Sequence, residues 1–244
     1  MNFDTVIDRK GTYCTQWDYV KDRFGKDGLL PFTISDMDFQ APKEIIEALI
    51  KRVNHGVFGY SRWNHEDFKN SIEFWYKLRF NYQIDKEWIL YAPSVIYSVA
   101  KFIEMKSGKG DGVLIFTPAY DGFFKVIGDN DRKIISSPLI KNGNNYEVDF
   151  EDFEKKCKEA KIFLMCSPHN PVGKVWSKEE LEKIISICKK YNIFIISDEI
   201  HMDIVYKGKH TPILEVAGDY IESITICTAA SKTFNIPALG GAYI

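Results

Sequence analysis

The chain has 244 residues, 45% of them hydrophobic, enough for one large domain or one and a half. Charged residues make up 27% and the formal net charge is −2, so no global basic field invites nucleic acid or an anionic membrane. No charged-then-apolar leader opens the sequence, and no apolar run reaches the roughly 18 residues that a membrane span requires.

Residues 1–40 read as irregular, rich in aromatic and charged side chains, with a short apolar piece at 29–34. Pro42 opens an amphipathic helix over 43–53, with Ile45, Ile46, Leu49, Ile50 and Val53 on one face. A second helix is predicted over 65–82, carrying Phe68, Ile72, Trp75, Tyr76 and Phe80. After Ile89-Leu90-Tyr91, Ala92-Pro93-Ser94 leads into a third, reaching about Met105.

From there strand and helix patterns alternate. Short apolar runs stand at Gly112–Thr117, 133–137, 162–167, Phe194–Asp198 and 223–228, with helical patterns at 120–129, 150–159 and 178–191. Apolar runs of this length between amphipathic helices predict strands buried on both faces, hence a mainly parallel α/β sheet. The lysines of 183–190 read as a solvated helix face. Leu239-Gly240-Gly241-Ala242-Tyr243-Ile244 reads as the start of a strand with nothing to close it, so a shortened chain is expected.

Five cysteines (Cys14, Cys157, Cys166, Cys188, Cys227) lack CxxC or Cys/His metal spacing. They read as reduced thiols of a cytoplasmic protein, mostly buried as small hydrophobes, and no metal site is expected.

Three residues stand out by their order. Asn170 lies in Ser167-Pro168-His169-Asn170-Pro171, Asp198 closes the run Ile195-Ile196-Ser197-Asp198, and Lys232 follows Ala230-Ser231. In open α/β sheets ligands bind beyond the carboxyl ends of the strands, so the three can serve one crevice despite spacings of 28 and 34 residues. Together they supply what pyridoxal phosphate needs. Lys232 gives an amine to bind it covalently, Asp198 a carboxylate to keep its pyridine nitrogen protonated, and Asn170 an amide for its phenolate oxygen. Freed from the cofactor, the same amine would act as general base at the substrate's Cα. Tyr120, in Thr117-Pro118-Ala119-Tyr120-Asp121, follows a strand and is placed either to stack on the ring or to pack in the core. The helix start at Pro93-Ser94-Val95-Ile96 offers free N–H groups to a phosphate.

These blocks resemble the fold-type I pyridoxal phosphate enzymes, the aminotransferase class I and II superfamily, and within it the cystathionine β-lyase-like C–S lyases. Ile34-Ser35-Asp36-Met37-Asp38-Phe39, Phe58-Gly59-Tyr60-Ser61-Arg62-Trp63 and Ala92-Pro93-Ser94-Val95-Ile96-Tyr97 carry the likeness early in the chain. Gly173-Lys174-Val175-Trp176, Ser197-Asp198-Glu199-Ile200-His201 and Ser231-Lys232-Thr233-Phe234-Asn235-Ile236-Pro237 carry it later. The resemblance implies a cofactor-binding large domain over 42–244, incomplete at its end. Residues 1–41 would be an N-terminal arm that contributes to a small domain, the rest of which is absent. It implies that Val95, Ile96, Ser231 and Thr228 lie around the phosphate, Thr228 standing in where Ala229 and Ala230 lack a hydroxyl. His201, in place of a tyrosine, favours the lyase branch and would lie near the cofactor. Tyr60 would be lent to a neighbour's site across a homodimer interface. The implied activity is α,β-elimination from a small L-cysteine thioether, with no nucleic-acid or membrane partner. An aminotransferase and a non-catalytic fragment or regulatory protein are the alternatives.

Overall fold

A computed structural model describes residues 3–244. The chain divides into two compact units, Met1–Ser61 with Ala230–Gly240, and Arg62–Ala229 with Gly241–Ile244.

The first unit contains the short helix α1 (Val20–Phe24) and helix α2 (Lys43–His55). Pro42 stands at the N-cap of α2, and Gly56 ends it in the left-handed region at φ +73°, where a side chain would be strained. The apolar stripe predicted for α2 is present but uncovered: Leu49, Ile50 and Val53 are exposed, as are Val57 and Phe58 beyond it. The arm before α2 is tied by Arg9, which donates to Asp36 at 2.7 Å and to Asp38 at 2.9 Å, and by the Trp17 indole, which donates to Asp38 at 3.0 Å.

The second unit opens with α3 (Glu66–Phe80), capped by His65, whose ring accepts from the Phe68 N–H at 3.2 Å. There follow β1 (Tyr91–Ala92), α4 (Val95–Lys106), β2 (Gly112–Thr117), α5 (Asp121–Asp129) and β3 (Lys133–Pro138). A hairpin of β4 (Ile140–Asn142) and β5 (Asn145–Glu147) turns through Gly143 at φ +58°. Then come α6 (Phe150–Cys157), β6 (Ala160–Cys166), α7 (Lys178–Lys190), β7 (Phe194–Asp198), β8 (Ile224–Cys227) and β9 (Ala242–Tyr243).

The five central strands pair in parallel in the order β3-β2-β6-β7-β8. Burial follows the prediction for β2, β6 and β7, whose apolar residues are covered on both faces. Strand β3 departs from it, because it lies at the sheet edge, and Lys133 and Ile134 are exposed. Side chains alternate across the sheet. Val113, Ile115, Ile162, Leu164 and Ile196 pack on α4 and α5, while Leu114, Phe116, Phe163, Met165 and Ile195 pack on α6 and α7.

The cysteines are all buried and free, and burial pushes the Cys166 and Cys227 thiols well above their ordinary value, with the Asp198 charge adding to it. The lysine-rich helix α7 buries Leu181, Ile184, Ile185, Ile187 and Cys188. Its Lys189 meets Asp219 at the surface. Among the described residues, no helix is long and apolar enough to cross a membrane.

Candidate active site

The strand order fixes where a ligand crevice must open. The chain passes from β2 outward to β3, then returns to the other side of β2 to begin β6 and continues through β7 to β8. The connections therefore diverge between β2 and β6, and helices α5 and α7 lie on opposite faces. Such a switch point leaves a gap beyond the carboxyl ends of the two strands.

The loop after β2 carries Tyr120 and the loop after β6 carries Asn170. His169 ties them together. Its Nε2 donates to the Pro118 carbonyl at 2.8 Å, while its own loop is closed by His169 N–H to Lys174 O at 2.7 Å and Gly173 N–H to His169 O at 2.8 Å. Below the loop, Trp176 donates to Cys166 O at 2.8 Å and packs edge-on to the His169 ring. Burial lowers the His169 imidazole from its ordinary range, against main-chain contacts with Pro118 and Cys166, which raise it.

Asp198 ends β7, buried, with main-chain pairing on either side. Ser167 N–H donates to Asp198 O at 2.8 Å, and Glu199 N–H donates to Cys227 O at 3.0 Å. One carboxylate oxygen, Oδ1, accepts from Ile200 N–H at 3.1 Å. Sharing the parity of Ile196, Asp198 faces the α4 side of the sheet. Tyr120 feels this charge: burial raises its phenol, and Asp121 and Asp198 push it further in the same direction. The ring of Tyr120 is partly exposed and meets Phe123 edge-on at 5.7 Å.

Helix α4 begins on that same side. Ser94 caps it, accepting from Tyr97 N–H at 3.2 Å, and the N–H groups of Val95 and Ile96 have no acceptor within the helix. A helix end of this kind can accept an anion. Val95 is buried and Ile96 partly exposed. Thr228 is fully buried, its hydroxyl proton given to Glu199 O at 3.2 Å. His201 is half-buried in the turn after Asp198, its carbonyl accepting from Ile204 N–H at 2.9 Å.

Lys232, Ser231 and Tyr60 belong to the other unit. Residues from Ala230 onward form one helical turn, closed by Phe234 N–H to Ala230 O at 3.0 Å and Ile236 N–H to Ser231 O at 2.9 Å. The Lys232 amine donates to Ser35 O at 2.6 Å. Asn235, at φ +55°, grips the arm beside it, donating to Met37 O at 2.8 Å and Phe39 O at 2.7 Å and accepting from Met37 N–H at 3.3 Å. Tyr60 is fully exposed.

The donor set suits pyridoxal phosphate. The sheet unit offers an N–H end for a phosphate, a buried carboxylate for a ring nitrogen, an amide for a ring oxygen and an aromatic ring for stacking. The arm unit offers the amine. Sequence reading named these residues but missed the links that hold them, His169 to Pro118 and Asn235 to the arm. Both use main-chain carbonyls, which leave no mark in a sequence.

Residues 27–244 match the family described as aminotransferase class I and II. The chain is 48% identical to Protein MalY of Escherichia coli K12 over 99% of its own length and 62% of that protein. It is 36% identical to the cystathionine β-lyase PatB of Bacillus subtilis, over 98% and 62%. Among solved structures, the pyridoxal phosphate-bound C–S lyase of Staphylococcus hominis superposes with a TM-score of 0.94 at 31% identity, covering all of this chain and 62% of the other. The chain thus spans about 62% of the length of these relatives. Family match and fold agree: the chain belongs to the aminotransferase class I and II family.

Proposed function

We propose that this chain is the cofactor-binding part of a pyridoxal phosphate-dependent C–S β-lyase. Its substrates are small L-cysteine thioethers such as cystathionine, and its products a thiol, pyruvate and ammonia. The observation that carries the reading is the grouping of Asp198, Asn170, Tyr120 and the α4 N-terminus at one end of one sheet. The likeness to a cystathionine β-lyase and to a C–S lyase supports the choice of reaction.

When bound, the cofactor supplies an electron sink for the pair left at the substrate's Cα. The residues of the chain do the rest. Lys232 would hold the cofactor covalently and, as a free amine, would take the proton from the substrate's Cα. Asp198 would keep a proton on the ring nitrogen, and Asn170 would donate to the ring's phenolate oxygen. Tyr120 would cover the ring face, with His201 nearby, and the N–H groups of Val95 and Ile96, with Ser231, would hold the phosphate; Thr228, expected there from the sequence, is buried with its hydroxyl proton already given to Glu199 O. The Cα–H and Cβ–S bonds break, the thiolate leaves with a proton, and the released enamine reacts with water to give pyruvate and ammonia.

The exposed stripe of α2 with Val57, Phe58 and the bare Tyr60 favours a homodimer in which Tyr60 serves the neighbouring site. The free cysteines favour a reducing, cytoplasmic setting.

The test is cystathionine turnover in the presence of pyridoxal phosphate and no keto acid. Pyruvate release is expected. Amino-group transfer that requires an added keto acid would instead establish the aminotransferase alternative. Absence of both activities, with a partner still bound, would favour a regulatory role.

A further inference from the structure

Glu199 is fully buried next to Asp198, and the proposed reaction does not use it. Strand alternation turns Asp198 to the α4 face and sends Ser197 and Glu199 to the face covered by α7. There Glu199 Oε1 accepts from Ser197 Oγ at 2.9 Å and from Ile213 N–H at 3.1 Å. Its Oε2 lies 2.8 Å from His210 Nε2, and because a carboxylate only accepts, Nε2 carries the hydrogen. The His210 side chain is 1% exposed, and Phe80 packs edge-on to its ring at 5.4 Å.

The main chain of Glu199 is held as firmly. Its N–H donates to Cys227 O, and its carbonyl accepts from Met202 N–H at 2.9 Å and from Thr228 Oγ1 at 3.2 Å. That carbonyl belongs to the same peptide as the Ile200 N–H, and this N–H is the donor at 3.1 Å to the Asp198 carboxylate. Fixing one end of a rigid peptide plane aims the other.

A buried acid and histidine are costly to desolvate, and an apolar pair of similar size would fill the space at less cost. We propose that Glu199, locked by His210, is a positioning residue. It fixes the plane of the peptide that orients the Asp198 carboxylate toward the ring nitrogen of a heteroaromatic cofactor. The inference rests on the cofactor reading above.

Three variants separate positioning from simple stabilisation. His210→Phe removes the donor and leaves Oε2 buried and unmatched, while His210→Gln keeps a donor of similar reach. Ser197→Ala removes one weaker bond and serves if His210→Phe does not fold. In the cofactor-free chain, amide exchange at Ile200 is expected to quicken about tenfold in His210→Phe, the usual scale for a hydrogen bond to a charged group. Amides of β6 should exchange as before, and His210→Gln should resemble wild type. Pyridoxal phosphate affinity, read by absorbance titration, should fall by a similar factor in His210→Phe and recover in His210→Gln. Ser197→Ala should move both readouts the same way by a smaller factor.

Unchanged Ile200 exchange in His210→Phe would overturn the proposal. So would β6 amides that quicken in step with Ile200, or a His210→Gln variant as impaired as His210→Phe. A wild-type chain that takes up no pyridoxal phosphate would defeat the cofactor reading, and the exchange measurements would still decide the role of Glu199.

Discussion

Asp198 in the sheet unit is fixed by strand pairing on both sides and by a bond to its own carboxylate, all in a buried setting. Lys232 in the arm unit stands on a single helical turn, half-buried, with its amine on Ser35 O and the neighbouring arm clipped by Asn235. The sheet unit has a core with aromatic residues at its centre; the arm unit leaves the apolar stripe of α2 uncovered. The difference separates two tasks. Under the proposed function, the carboxylate that would orient a ring is built on strand register, which tolerates little displacement. On the proposed reading, the amine that would attach, detach and take a proton stands on a hydrogen-bonded turn rather than on a paired strand.

The sharpest way to break this comparison is Lys232→Ala. Covalent attachment of pyridoxal phosphate should vanish, with no borohydride-reduced peptide by mass spectrometry. The melting temperature should move far less than in a core truncation, because the side chain is only half-buried. A reduced cofactor-bearing peptide elsewhere would reassign the amine.

The core of the sheet unit should behave in the opposite way. Phe163 is fully buried, 4.9 Å from the Phe116 ring and 5.0 Å from Phe153. Phe163→Ala should cost about 3–5 kcal/mol of stability by denaturant titration, much of a domain's total. A loss below about 1 kcal/mol would mean that this core is not the one that holds the sheet.

A smaller effect is expected at Asn235. Its positive φ would strain an alanine, so Asn235→Gly isolates the lost clips on Met37 and Phe39 from backbone strain. The cost should be about 1–2 kcal/mol, felt in the arm. Amide exchange at Met37 should quicken while β7 is unaffected. Equal loss in both would merge the two units into one cooperative structure.

Periodicity made the helices and parallel strands legible, because core burial and the 3.6- and 2-residue repeats enforce the same pattern. The hairpin at 140–147 was missed, although Gly143-Asn144 carries its turn signal, because its strands are three residues each and only Tyr146 packs toward the core. The half-exposed edge strand β3 was read as buried, since position in a sheet depends on pairing that a local pattern does not record. Asn170, Asp198 and Lys232 stood out as candidates because the proposed chemistry demands particular residue types. The supports were not. Glu199 and His210 are 11 residues apart and look like surface charges until the fold buries them together.

His169 gives the smallest and most pH-dependent test. It is buried on the bridge between the Tyr120 and Asn170 loops, and burial holds its imidazole below its ordinary value near 6.5. In the unfolded chain the ring regains that ordinary value, so as pH falls below about 6.5 the unfolded state binds a proton that the folded state refuses. The stabilising contribution is therefore complete above that pH and is lost progressively as pH falls toward the lowered folded value. His169→Gln keeps a donor for Pro118 O and does not titrate. The stability difference between wild type and His169→Gln should be constant above neutrality and shift against wild type as pH drops through 6 and below, as measured by parallel denaturant titrations. A difference that holds constant down to pH 4 would mean that the ring is protonated as easily folded as unfolded. The bridge would then be reachable by water, and the sheet unit's end of the comparison would be less rigid than its buried contacts imply.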